Sequence, residues 1–345
     1  MRIDRMFENP HSGMGRRAFL GSTLLAAATG FALGQDNKPA AAAAAAVKPA
    51  RNPFTYHFKI GEFDAWTISD GNALIRNATG LMWPQEDRPQ MMDWLKSHGE
   101  RLDGIPLYIN ILVVKIGTEY VIFDAGFGKV SNPELGWVAQ GLKDIGIEPS
   151  QVTAGFLSHG HSDHFGGFVV DGKPYFPNAA FHYLQEEYDF WHSPEPDFSK
   201  SHRDKGELPG LVRTVRSNFE ILKPQCQPLK TGDSLFNGAV IVELAPGHTD
   251  GHAVFRIKSG DDELLHIVDL AHHHGYMFQN PHWTIAFDHD PDLSVVTRRK
   301  IFAQAAAQGT RCYGFHLPWP GLGHIVKPGA EESYVWHQER WSWGS

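Results

Sequence analysis

The sequence predicts a mixed α/β (α+β) fold of two β-sheets flanked by helices, without the strand–helix alternation of a doubly wound parallel sheet. Three observations carry this. Strand signals come in runs broken by helices, in the order strands, helix, strands, helix. The 345 residues are 42% hydrophobic and 20% charged, the balance of a globular chain with a sizeable core. No self-similarity at a fixed period runs through the sequence, which argues against a repeat architecture.

The first stretch reads as an address. Arg16-Arg17 precede an apolar run from Ala18 to Leu33 that ends in small residues. At about 16 residues this run is short for a membrane span, which needs roughly 20. Its order of basic, apolar and small segments is that of a secretory signal, and the Arg pair followed by Ala-Phe-Leu resembles a twin-arginine export signal. Residues 1–34 are therefore read as a signal peptide, with cleavage near Ala32-Leu33-Gly34, and 35–53 as an Ala/Pro-rich linker. The expected location is periplasmic or secreted, with no stable membrane span after signal removal. Residues 54–345 form the expected folded domain.

Within it, the alternating, aromatic-rich stretch from Phe54 to Asp70 predicts two short strands ending in a turn at Asp70-Gly71. "DRPQMMDWLKSHG" predicts a short helix stopped at Gly99. "YINILVVKIGTEYVIFDAG" is a hairpin around Gly117-Thr118. Leu135, Val138, Leu142 and Ile145 share one helical face. "VTAGFLSHGHSDH" runs a strand into a histidine cluster. Residues 185–224 mix aromatics, prolines and charges, with a helix at Leu211, Val215, Phe219 and Leu222; they read as an inserted, lid-like segment. Strands follow at "AVIVELAPG", "HAVFRIKS" and "ELLHIVDL", then a helix at "DLSVVTRRKIFAQAAAQG" and a strand at "RCYGFHLPW".

Composition excludes some functions. A net charge of −8 argues against binding a nucleic-acid backbone, which asks for a basic face. Two cysteines, Cys226 and Cys312, are too few for a thiolate metal site or a disulfide framework; one bridge or two buried thiols both remain open. There are 20 histidines, so spacing rather than count must carry any metal argument.

The spacing is informative at His159-Gly160-His161-Ser162-Asp163-His164. His159 and His161 are two apart on an extended segment and leave on the same side, whereas the adjacent Asp163 and His164 diverge. One loop can thus offer donor pairs to two points. Imidazole and carboxylate together suit Zn²⁺, Mn²⁺, Co²⁺ or Fe²⁺. Further candidates stand where apolar strands end: His248 after "VIVEL", Asp269 after "LLHIV" and His316 in "YGFHLPW".

This order, HxHxDH, then Gly-His, then an Asp at a strand end, then a late His, resembles the metallo-β-lactamase superfamily. "FPNAAFHYLQEEYDFW" and "HLPWPGLGHI" look like its methyl parathion hydrolase and N-acyl-homoserine lactonase-like branch. The resemblance implies a four-layer αβ/βα metallo-β-lactamase sandwich of two mixed β-sheets flanked by helices, with two divalent metal ions, Zn²⁺ foremost, at one edge. It implies that His159, His161 and His248 hold one ion, that Asp163, His164 and His316 hold the other, and that Asp269 bridges them. Asp163 and Asp269 are then the catalytic carboxylates, Asp163 doubling as a proton acceptor. The chain departs from the family pattern at Asp250, where a Pro is common, and in lacking a Gly before Asp269. Phe190 and Trp191 match an aromatic position that lines the site in related hydrolases; Trp319, Phe165, Phe278 and Trp283 are further aromatic candidates. Asp124, after the hairpin, is expected to hydrogen-bond a ligand histidine. His324 is a candidate to orient a ligand, or else a plain turn histidine. His252 is expected to pin the His248 loop, and His272, His273 and His274 to be loop residues near the mouth, or else one of them, three residues or so past Asp269, to reach the ligands.

The function so predicted is an exported binuclear metal-dependent hydrolase, in which a metal-bridging hydroxide attacks lactone, ester or aryl phosphotriester substrates. No Gly-x-Ser-x-Gly elbow or catalytic cysteine signature competes with it. The partner is a small molecule rather than nucleic acid; a homodimer is left open. Two alternatives stand beside it: a non-heme iron redox protein of the same fold and a non-catalytic periplasmic metal-binding protein.

Overall fold

A computed structural model describes residues 54–340; the expected signal and linker lie outside them. Among the described residues the first large sheet takes its strands in chain order: β1 (Thr55–Ile60), β2 (Phe63–Arg76), β3 (Gly104–Ile116), β4 (Glu119–Phe123), β5 (Val152–Phe156), β6 (Ala180–Leu184) and β7 (Cys226–Leu229). The second does the same with β8 (Ser234–Leu235), β9 (Val240–Leu244), β10 (Ala253–Ser259), β11 (Asp262–Val268), β12 (Arg311–Gly314), β13 (Leu322–Val326) and β14 (Val335–Gln338). Pairing is antiparallel from β1 to β4 and parallel from β4 to β7; the second sheet is antiparallel except for β11 with β12. The helices are α1 (Arg88–Ser97), α2 (Val138–Asp144), α3 (Ser162–Phe165), α4 (Gln185–His192), α5 (Leu208–Leu222), α6 (Tyr276–Gln279) and α7 (Pro291–Gln308). Two mixed sheets with helices packed on them are the predicted class.

β3 shows why the sheets stack. Its run from Ile109 to Ile116 is apolar on both faces, the pattern of a strand covered on both sides. Ile109, Ile111 and Val113 pack in a core with Met91 and Leu95 of α1 and Val138 and Leu142 of α2. Leu112, Val114 and Ile116 face the other way, into a second core with Phe255, Leu264, Tyr313 and Leu322 of the second sheet. The buried polar residue in this run, Asn110, donates from Nδ2 to the carbonyls of Gly314 (3.1 Å) and Leu317 (2.7 Å). It thereby ties the first sheet to the loop after β12.

Most elements lie where periodicity places them. α5 buries Leu211, Val215, Phe219 and Leu222 as one stripe. α7 starts with an Asp290 carboxylate accepting from the Leu293 N–H at 3.1 Å and ends at Gly309, whose φ of 62° is the left-handed C-terminal stop that glycine adopts freely. The α2 prediction was too long: Leu135 is buried but lies ahead of the helix. β6, β7, β8, β13 and β14 have no counterpart among the predicted strands. Cys226 and Cys312 are free thiols.

The turn expected at Asp70-Gly71 is absent. β2 continues to Arg76, with a register shift between Ser69 and Asn72. The Asp70 side chain is the reason: fully buried, it accepts the backbone N–H groups of Phe127 (2.8 Å) and Val138 (2.9 Å). Gly71, at φ 116°, brings the bulged backbone against Glu134, where a Cβ would lie 1.9 Å from the carbonyl oxygen. An Asp-Gly pair between β-rich runs thus signals a bulge here, because its carboxylate has orphan N–H groups to satisfy.

Candidate metal centre

β5 ends at Phe156, and the chain bends at Gly160 and His161 before α3 begins at Ser162, so His159 and His161 turn towards one point. His248 arrives from the loop after β9, Asp269 from the end of β11 and His316 from the loop after β12. His159 Nε2 lies 3.0 Å from His161 Nδ1, which lies 3.0 Å from His248 Nε2. Asp269 Oδ2 is 3.2 Å from His248 Nε2 and 3.7 Å from His159 Nε2. On the other side Asp163 Oδ2 is 3.6 Å from His164 Nε2 and 3.4 Å from His316 Nε2. Asp269 reaches this group as well, with Oδ1 3.3 Å from His164 Nε2 and Oδ2 3.2 Å from His316 Nε2. All seven sequence candidates therefore meet, as two trios that share Asp269.

The donors fit divalent ions. With Zn–N bonds of about 2.0–2.1 Å, tetrahedral ligand atoms stand roughly 3.3 Å apart, close to the separations here. His164 Nε2 and Asp269 Oδ1, which face the cluster, are buried without hydrogen-bond partners, as atoms meant for another bond would be. Electrostatics agree with a site built for cations. Burial holds His159 and His161 well below the usual imidazole range, so both offer neutral nitrogens. Burial also opposes charge on His164, yet Asp269, Asp163 and Asp124 outweigh it and raise its pKa. Against its own burial, Asp269 is held well below the carboxylate range by His164, His316 and His272.

Outer contacts decide which ring nitrogen faces inward. His164 Nδ1 is 2.8 Å from Asp124 Oδ2, and Asp124 in turn accepts from the Ser158 N–H and hydroxyl. His316 Nδ1 donates to the Tyr108 carbonyl at 2.8 Å, so β3 aims this imidazole. His252 Nδ1 lies 3.0 Å from the Ala245 carbonyl and its Nε2 accepts from the Asp269 N–H, which pins the His248 loop as expected. Two acids escaped the sequence analysis. Asp288 Oδ1 lies 2.7 Å from His248 Nδ1. Glu187, in the first turn of α4, is buried and accepts four donors: the Gly160 N–H (2.7 Å) and Trp191 indole (2.6 Å) on Oε1, the Thr249 hydroxyl (2.6 Å) and Gly251 N–H (3.0 Å) on Oε2. Nothing in spacing distinguishes a lone Glu or Asp of this kind from a surface acid. The glycines of "HGH" and "DGH" allow the clamp, since a Cβ on Gly160 would meet the Trp191 indole at 2.6 Å and one on Gly251 the Glu187 nitrogen at 2.0 Å.

Orientation of this kind has a measurable price. Asp288→Asn is expected to weaken metal affinity about 10–100-fold, because the amide no longer fixes the His248 tautomer. Competition with a chromogenic chelator measures it; unchanged affinity removes Asp288 from this role.

A cleft opens onto His161, Asp163, His248, Asp269 and His316. His272 also lines it, with Nε2 3.2 Å from Asp269 Oδ2; it is buried at the site rather than at the mouth. The aromatic predictions need correction. Phe190, Trp191 and Trp319 do not line the cleft. Trp191 is fully buried behind the Gly160 backbone, Phe190 packs on His289 and Phe198, and Trp319 packs against the inter-sheet core. Phe165, Phe278 and Trp283 are core residues too. His324 pairs with Arg311 and His337 within the second sheet and makes no hydrogen bond to a candidate ligand, so it does not orient the centre. The walls are instead Ala73, Leu107, Ile109, Phe127 and Phe287, with Arg203 the contribution of the inserted segment.

Residues 104–275 match the family model of the metallo-beta-lactamase superfamily, the span that carries six of the seven donors. The chain belongs to this superfamily. Curated relatives named "Probable metallo-hydrolase" in Mycobacterium tuberculosis and Mycobacterium bovis are 28% identical over 196 residues, 50% of this chain. The chain spans 59% of the length of these relatives. Among solved structures, the dizinc quorum-quenching lactonase AidC, in complex with a product, aligns with a TM-score of 0.80 at 28% identity, covering 84% of this chain and 100% of that one. The hydrolase AbOPH aligns with a TM-score of 0.75 at 28% identity, covering 85% and 99%. These neighbours fit the lactonase-like branch of the superfamily.

Proposed function

We propose that this protein is an exported binuclear zinc hydrolase whose substrates are lactones, with aryl esters and aryl phosphotriesters as neighbouring classes. The observation that carries the reading is the pair of donor trios sharing Asp269 at the floor of a cleft with apolar walls. The likeness to a dizinc lactonase at a TM-score of 0.80 supports zinc and lactone. Export rests on Arg16-Arg17 and the apolar run behind them.

His159, His161 and His248 would hold one ion, Asp163, His164 and His316 the other, and Asp269 both. When bound, two such ions lower the pKa of a shared water and polarise a carbonyl or phosphoryl oxygen. The chain's own groups do the rest. Asp124, Asp288 and the Tyr108 carbonyl hold the imidazoles in their tautomers. The Asp163 side chain keeps 18% exposure against 2% for Asp269, so it is the carboxylate placed to take a proton from the cleft. Burial pushes His272 down to about 4, which leaves a neutral ring beside Asp269. The apolar walls exclude water from the bound hydrocarbon.

Metal content and turnover on one purified sample test this. Lactones, aryl esters and an aryl phosphotriester are assayed before and after chelation. About two zinc ions per chain and chelator-sensitive lactone turnover are expected. One ion or none sinks the binuclear reading; two ions with no turnover on any class sink the hydrolase reading.

A further inference from the structure

We propose that His289, backed by Asp250, accepts the outer N–H of His161 and so holds this imidazole on its metal ion. This rests on the binuclear reading above, in which His159, His161 and His248 share one ion, and adds two positioning residues outside the donor set.

Five of the candidate ligands are histidines, and four have a partner for the outer ring nitrogen. His164 and His248 have the Asp124 and Asp288 carboxylates, and His316 has the Tyr108 carbonyl. His159 Nδ1 lies 2.9 Å from the Ser158 hydroxyl. His161 is the exception. Its Nδ1 faces the donors, 3.0 Å from His159 Nε2 and from His248 Nε2, while its Nε2 is buried with no hydrogen-bond partner. With the Nδ1 lone pair given to an ion, Nε2 carries the proton and needs an acceptor.

His289 is the ring beside it. The two ring centres stand 5.7 Å apart, edge to face at 77°. That spacing suits a direct bond after a small rotation, or one bridging water. Both His289 ring nitrogens are themselves buried and partnerless. Phe190, Trp191 and Phe198 enclose this ring, which disfavours its charged form and leaves one nitrogen as donor and the other as acceptor. Asp250 decides which. Its Oδ1 stands 3.5 Å from His289 Nδ1, a gap that a turn of the exposed Asp250 side chain closes. The carboxylate draws the proton to Nδ1 and leaves a lone pair on Nε2, the acceptor that His161 lacks. Arg203, the other polar side chain on this face of His161, has only donors and faces Glu207 at 3.6 Å.

The backbone fixes this register. The His289 N–H donates to the His248 carbonyl at 3.1 Å, and the Asp290 N–H to the Gly247 carbonyl at 2.9 Å. Two adjacent residues thus serve two ligands of the same ion: Asp288 through His248, and His289 through His161. Asp250 is also the position where this chain departs from its family's pattern; the proline common there has no carboxylate to offer.

The test is chelation of the zinc-loaded protein, followed by stopped flow, with metal content measured on each variant. His289→Phe is expected to release one of the two ions about tenfold faster and to leave the other within about twofold. His289→Gln, whose side-chain carbonyl can accept, is expected to recover part of that loss. Asp250→Ala is expected to have a smaller effect on the same ion and none in the His289→Phe background. Side-chain ¹H–¹⁵N spectra supply the second readout: the His161 Nε2–H resonance is expected to move in both His289 variants while those of His164 and His316 stay in place. Equal acceleration of both ions, no acceleration of either, or additive effects of Asp250 and His289 overturn the proposal and leave the binuclear centre standing. A wild type that holds one ion or none overturns the binuclear reading and takes the proposal with it.

Discussion

Asp269→Asn is expected to remove at least about a thousandfold of kcat/KM, roughly 4 kcal/mol of transition-state stabilisation, and to leave one metal ion per chain or fewer. Asp269 is the group that touches both trios: Oδ1 faces His164, while Oδ2 faces His159, His248, His272 and His316. An amide of the same shape loses the charge and turns an N–H₂ donor towards nitrogens that must stay free for metal. Burial would otherwise favour the neutral acid, and only the surrounding imidazoles keep the native carboxylate ionised. Elemental analysis with steady-state kinetics decides it, with circular dichroism to show that the fold persists. A variant with two ions and more than about a tenth of native activity would refute the bridging role.

Glu187→Ala is expected to cost about 3–5 kcal/mol of stability, because four buried donors lose their acceptor at about 1–3 kcal/mol each before the loops relax, and to speed loss of metal to a chelator. Burial pushes this carboxyl up and four donors push the other way. Their geometry requires acceptor lone pairs on both oxygens, because each oxygen faces two donors. Glu187→Gln keeps the shape but places an amide N–H₂ against one pair, so an intermediate cost of about 2–3 kcal/mol is expected. Urea unfolding of the metal-loaded proteins measures the first effect and stopped-flow chelation the second. Native midpoints in both variants would mean that the loops of His159–His161 and His248–Gly251 hold their positions without the clamp.

The donors were legible because chemistry imposes spacing on them. HxHxDH compresses two trios into one loop, and the three later donors each close an apolar strand, at "VIVEL", "LLHIV" and "RCYGF". The groups that orient them divide by context. Asp124 could be placed because it follows a clear hairpin; Asp288 and Glu187 could not, since each is an isolated acid whose partners are distant in sequence. The aromatic expectation failed for a related reason. Trp191 does lie beside the donor loop, but its indole donates to Glu187 and its ring backs the loop rather than the cleft. Arg203 sits in "SHRDKGE", which reads as a solvated turn until Phe287 and Ser201 are folded against it. β6 and β7 went unread because they are short strands inside a stretch rich in proline and charge.

The way Asp269, His248 and His316 come from one sheet while the HxHxDH loop comes from the other has a mechanical consequence. The apolar layer between the sheets resists separation but has little preference for direction, so it tolerates small sliding movements. Ions seated at the shared edge would act as rivets through both plates, locking shear at that end. The opposite end of the sandwich is fastened by the chain alone, through the Glu62 N–H and the Ser259 hydroxyl at 3.0 Å and the Gly61 N–H and Asp262 Oδ2 at 3.0 Å.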